Sequence, residues 1–166
     1  MSIWWSLHLR REAASVPLAR RLLLGTMETA GVDPDISFDL SVALSEACAN
    51  AVEHGGPVAG TGSGGGSVPE ACAAYRVTAY LDGDCCRIEV TDSGPGFPAA
   101  TVAGHRPAPA APAAPAATAE CEHGRGLWLI EELADHVRLR NRPGRGAVVS
   151  FDKVLKWREG ALLKVS

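Results

Sequence analysis

Three short segments carry residue types suited to phosphate and nucleotide chemistry. The first is Ser45-Glu46-Ala47-Cys48-Ala49-Asn50-Ala51-Val52-Glu53-His54. Asn50 follows Glu46 by four residues, so on a helix the two side chains share a face, with Cβ atoms about 5–6 Å apart. An amide oxygen suits a hard cation such as magnesium, and a carboxylate can take a proton from an attacking hydroxyl. On spacing alone an incidental pair on a solvated helix face is the plainer reading. The second segment is Thr91-Asp92-Ser93-Gly94-Pro95-Gly96-Phe97, at the end of an apolar run. Alternate glycines let a backbone bend and a ligand approach closely, and Asp92 can accept a hydrogen bond from an amino group. A plain turn after a strand reads the same way. The third is His123-Gly124-Arg125-Gly126-Leu127-Trp128-Leu129-Ile130. Glycines that open a helix leave N–H groups and a positive dipole end free for phosphate, and Arg125 would add a charge-assisted contact. A tight turn is the plainer alternative. No GxxxxGK[ST] stretch occurs, which excludes a P-loop.

The elements that must position these segments follow from hydropathy. Ile3, Trp5, Leu7 and Leu9 alternate with Trp4, Ser6, His8 and Arg10, which predicts a half-buried strand. A helix is expected from about Val16 to Ala30, with Leu18, Leu22 and Met27 as its apolar stripe and Gly31 as its stop. Asp33-Pro34 opens a second helix, from Asp35 to about His54, whose core face is Leu40, Ala43, Leu44, Ala47 and Ala51. Residues 56 to 68 are Gly- and Ser-rich and read as a loop. Tyr75–Leu81 and Cys86–Thr91 form a hairpin around Asp82-Gly83-Asp84. An Ala/Pro tract precedes a short helix from Gly126 to about Ala134. A last hairpin pairs Val137–Arg140 with Ala147–Phe151. Two hairpins and non-alternating helices predict an α+β fold: a two-layer α/β sandwich with a mixed, mainly antiparallel sheet and helices on one face.

Composition sets the outer limits. The chain has 166 residues, 46% hydrophobic and 21% charged, enough for one domain with a real core. A net charge of -3 gives no basic surface for nucleic acid or acidic membranes. Cys48, Cys72, Cys85, Cys86 and Cys121 form neither a disulfide framework nor a zinc motif, and suit reduced thiols in a cytoplasmic protein. The N-terminus has no basic leader before an apolar run, and no stretch is long enough to span a bilayer.

ExxxN on a helix, DxGxG after a strand, and GxG at a helix after an irregular segment together resemble the GHKL, or histidine kinase-like, ATPases. Leu44 to His54 is most similar to the bacterial anti-sigma factor serine/threonine kinases. The resemblance spans about residues 10 to 152. It implies a Bergerat-type ATP-binding fold over residues 1–154, with a lid at about 97–123 and a C-terminal tail at 155–166. It further implies ATP and magnesium as cofactors, with Asn50 as the metal ligand and Glu46 as the catalytic base. Asp92 would bind the adenine amino group, Gly94 and Gly96 would shape the base pocket, and Gly124, Arg125 and Gly126 would lie against the phosphates. Leu127, counted with them, begins the helix core beneath the lid; His54 either helps close the pocket or is a satisfied helix-end histidine. The implied activity is phosphorylation of an anti-sigma factor antagonist. The alternative is a non-catalytic ATP-binding module that sequesters a sigma factor or other regulator. Trp4, Trp5 and Trp157 would serve either packing or a dimer or partner contact. One departure stands out. Many relatives have threonine after the last glycine, but here Ala147 follows Gly146, a lost hydroxyl worth about 0.5–1.5 kcal/mol.

Overall fold

Alternation is the local rule that builds the sheet. In the computed structural model, which describes residues 2–54, 74–97, 102, 119–142 and 146–161 (side chains of 119–125 excepted), β1 spans Ser2–Arg10. It turns Ile3, Trp5, Leu7 and Leu9 toward the core. It pairs antiparallel with β2 (Ala74–Asp82), which buries Tyr75, Val77, Ala79 and Leu81. β3 (Cys85–Thr91) returns in the register Val77↔Val90, Ala79↔Ile88 and Leu81↔Cys86, so the inward residues stack rung by rung. Gly83 supplies the positive φ of 57° in the intervening turn. β4 (His136–Arg142) and β5 (Gly146–Val154) complete a sheet of order β1-β2-β3-β5-β4, with every pairing antiparallel.

Helices α1 (Ser15–Ala30), α2 (Pro34–His54) and α3 (Ala119–Leu133) make the second layer. Asp33 opens α2 as expected: its Oδ1 accepts the Asp35 amide at 2.9 Å, with Pro34 in the first turn. The core face of α2 includes Leu40, Ala43, Leu44, Ala47 and Ala51, all as expected. The stripe expected on α1 is corrected. Leu18 and Leu22 are 56% and 38% exposed, and the buried line is Ser15, Ala19, Leu23, Met27 and Ala30. One position along a helix is a rotation of about 100°, and the small Ala19 lets α1 sit close to its neighbours. Gly31 ends α1 at φ 87°, its N–H donating to Met27 and Glu28 carbonyls.

The onset of the third helix is also corrected. It begins at Ala119 rather than Gly126, so Gly124 and Gly126 lie inside it. A helical glycine costs only about 1 kcal/mol relative to alanine, which the good helix formers on either side offset. The free N–H groups of this helix therefore belong to its first turn, at Ala119, and not to residues 124–126.

The expected Gly/Ser loop at 56–68 and most of the expected lid lie outside the described residues. The C-terminal segment is docked as far as residue 161: Leu155 is buried, and Trp157 bridges to Val32. Asp33 N–H donates to the Lys156 carbonyl at 2.7 Å, and Arg158 N–H to that of Gly31 at 2.8 Å. The three tryptophans do not share one surface. Trp5 and Trp157 pack against the core and donate to Thr26 and Asp84, while Trp4 faces out at 67% exposure. Cys48, Cys85 and Cys86 are free thiols. Among the described residues no helix is long and apolar enough to cross a membrane.

Candidate nucleotide site

The long helix α2 organises the site. Glu46 and Asn50 stand half-buried on its flank, beside the buried line of Ala43, Ala47 and Ala51. Helix α3 packs along this flank. A Cβ built on Gly126 would lie 3.2 Å from Glu46 Oε2, so the missing side chain leaves the carboxylate its room. Two motifs some eighty residues apart in the sequence thus meet. Among the described residues neither Glu46 nor Asn50 has a hydrogen-bond partner for its side chain.

The second cluster forms where β3 ends. Asp92 is 8% exposed. Its Oδ1 accepts the Gly94 amide at 2.8 Å and the Ala147 amide at 3.3 Å, and its own N–H donates to the Ala147 carbonyl at 3.0 Å. Oδ2 has no hydrogen-bond partner among the described residues. Burial raises the pKa of Asp92. The two backbone hydrogen bonds, and then the charges of Arg11 and His54, oppose that rise. Gly146, at φ 106°, passes so close that any Cβ would strike the Asp92 carbonyl. The crossing of β5 over the Asp92 backbone therefore requires glycine.

Arg11 ties this cluster to α2. Its Nε donates to the Ala51 carbonyl at 3.2 Å and its Nη2 to that of Val52 at 2.8 Å, capping the last turn with a cation where the helix dipole favours one. His54 Nε2 lies 3.4 Å from Glu53 Oε2. Glu46 to His54 is about 12 Å of helix. The Glu46–Gly126 pair thus lies toward one end of this stretch of α2 and the Arg11 and His54 neighbours of Asp92 at the other, with Asn50 between on the helix. Leu127 is buried in the core. Gly124 lies within α3, and the Arg125 side chain is outside the described residues. A separate hollow of about 460 Å³, bordered by Trp4, Tyr80, Arg87 and Glu89, contains none of these groups.

Two site residues gave no usable sign of their role in the sequence. Arg11 carried no signal, since its acceptors lie 40 and 41 residues away. Asn141, beside the last turn, bonds both the N–H and the carbonyl of Phe97; an asparagine near Pro and Gly reads as turn chemistry.

The donor set suits magnesium. That ion keeps several waters and takes one or two protein ligands besides phosphate oxygens. The one amide oxygen of Asn50, unpartnered among the described residues, fits that habit.

A profile of the histidine kinase-like ATPase domain matches residues 9–153. The chain belongs to the histidine kinase-like ATPase family. Membership makes ATP its nucleotide. No curated protein matches this histidine kinase-like ATPase. Among solved structures, it is similar to the RsbU and RsbW domains of Rv1364c from Mycobacterium tuberculosis, with a TM-score of 0.59 and 21% identity. The match covers 98% of this chain and 35% of that one, so this histidine kinase-like ATPase spans about a third of its neighbour's length. The likeness is one of fold.

Proposed function

We propose that this histidine kinase-like ATPase is an ATP- and magnesium-dependent regulatory protein kinase. Its substrate is a serine or threonine hydroxyl on an anti-sigma factor antagonist. One observation carries the nucleotide assignment: a buried carboxylate with one oxygen held by two backbone amides and the other unpartnered. Such a group is an acceptor awaiting a donor, and the exocyclic amine of adenine is one. The regulatory setting rests on the similarity of Leu44 to His54 to the bacterial anti-sigma factor kinases.

In this reading Asp92 receives the adenine amine, and the turn through Gly94 and Gly96 flanks the base. Asn50 holds the metal, which when bound neutralises charge on the phosphates. Glu46, facing the open side of Gly126, would take the proton from the incoming hydroxyl as its oxygen bonds to the γ-phosphorus and the bond to the β,γ-bridging oxygen breaks, ADP leaving with that oxygen. Gly124 and Gly126 contribute close approach along α3 rather than free helix-terminal N–H groups, and Arg125 a charge-assisted contact to the phosphates. The test is transfer of labelled phosphate from ATP to candidate antagonist proteins, for the wild type and Glu46→Ala. Transfer that falls at least about 100-fold in the variant, with ATP binding kept, supports the assignment. Undiminished transfer removes Glu46 as the base. ATP binding and partner capture without any transfer would make the chain a non-catalytic sequestering module.

A further inference from the structure

Asn141 lies on β4 opposite Ala147 of β5. Its side chain makes two hydrogen bonds to a single residue 44 positions away. Phe97 N–H donates to Oδ1 at 2.8 Å, and Nδ2 donates to the Phe97 carbonyl at 2.8 Å. This is the pairing a neighbouring strand would give, supplied instead by a side-chain amide. Phe97 is only 6% exposed, and its backbone groups need such partners once buried. Gly96, at φ 86°, clears the way: a Cβ there would sit 2.6 Å from Asn141 Oδ1.

The arrangement closes on itself. Ala147, the rung partner of Asn141, holds Asp92 through its own N–H and carbonyl. Both ends of the segment Asp92–Phe97 are therefore fastened to one rung of the β4–β5 ladder. Asp92 is fixed by the backbone of Ala147 and Phe97 by the side chain of Asn141. The loop bearing the open carboxylate oxygen is thus held at both ends by the protein's own groups.

We infer that Asn141 is a positioning residue for the base: its amide clamp presets the Asp92–Phe97 loop and so sets discrimination between an amino group and a carbonyl on the purine. This rests on the nucleotide reading above. Asparagine is chemically required, because one donor and one acceptor must be presented side by side. Aspartate keeps the acceptor but loses the donor, and alanine loses both.

The test compares wild type, Asn141→Asp and Asn141→Ala, with thermal melts to verify folding. Amide hydrogen exchange without nucleotide reads the clamp directly. Exchange at Phe97 should accelerate about tenfold or more in Asn141→Ala, which loses the acceptor of its N–H, and less in Asn141→Asp, which keeps that acceptor, while the β2–β3 hairpin is unchanged. Calorimetry with magnesium-ATP and magnesium-GTP reads positioning. ATP affinity should fall about tenfold, with less change for GTP, so that the ATP-to-GTP preference narrows. Equal loss for both nucleotides would mean a merely structural role and would overturn the inference. So would faster exchange with unchanged ATP affinity, or unaltered protection of Phe97 in Asn141→Ala. Absence of ATP binding by the wild type would instead remove the nucleotide reading itself. If Asn141→Ala fails to fold, Asn141→Asp, which loses the bond to the Phe97 carbonyl, carries the ATP-against-GTP comparison.

Discussion

Replacing Asp92 by asparagine separates what the fold needs from what the ligand needs. In the free protein Oδ1 accepts the Gly94 and Ala147 amides, and a carboxamide oxygen can accept both equally. The variant therefore keeps the loop's hydrogen bonds and loses a charge that burial disfavours. The sign follows from the raised pKa. The folded state binds this proton more readily than the unfolded chain does, so the Asp92 contribution to stability is full below the ordinary carboxylate range and is lost as pH rises through the folded value. Near pH 7–8 the variant should melt no lower than wild type, and any advantage should shrink as pH is lowered toward 4. Binding moves the other way. A hydrogen bond from the adenine amine to a charged oxygen is worth about 1.5–3 kcal/mol, roughly a 10- to 150-fold change in Kd. With Oδ1 retained by the loop, the variant points an N–H at another N–H; turning the amide over only moves that conflict onto the Gly94 and Ala147 donors. Calorimetry with magnesium-ATP gives the affinity, and melts at pH 5 and pH 8 without nucleotide give the stability. Unchanged ATP affinity, or a variant less stable at every pH, would refute the assignment of Oδ2 to the base.

Gly146→Ala should lower stability by at least about 2 kcal/mol, since the positive φ and the blocked Cβ position both oppose it; a Tm drop of about 4–8 °C in a thermal melt would show it. Gly126→Ala should do the reverse for stability, because alanine is favoured in a helix by about 1 kcal/mol. Its Cβ would crowd Glu46 Oε2, so Tm should hold or rise while labelled phosphate transfer falls. Arg11→Leu removes two hydrogen bonds to the α2 carbonyls and a cation that favours ionised Asp92. Denaturant unfolding should register a loss of about 1–3 kcal/mol.

Local chemistry was legible wherever one segment contains its own explanation. The alternation of Ile3, Trp5, Leu7 and Leu9, the helical line from Leu40 to Ala51 and the Asp33-Pro34 opening need no distant partner to be understood, and each stands as expected. Errors arose where a local signal competed with packing. Leu18 and Leu22 are apolar, yet Ala19 and Leu23 take the inner face, one position round the helix. Gly124 and Gly126 look like breakers, yet α3 runs through them because their cost is small beside the packing of the whole helix.

The joinery could not be read at all. Arg11 and Asn141 act through backbone groups about forty residues away, and backbone groups are the same in every sequence. No residue type at 51, 52 or 97 advertises a free carbonyl. The same reasoning gives Ala147 a weight its side chain does not suggest. The missing hydroxyl is one loss, but the Ala147 main chain meets Asp92 at both its N–H and its carbonyl, and those contacts do not depend on the side chain at this position. The carboxylate is therefore placed by the ladder, and a threonine in place of Ala147 would act on the ligand side of Asp92 rather than on its placement.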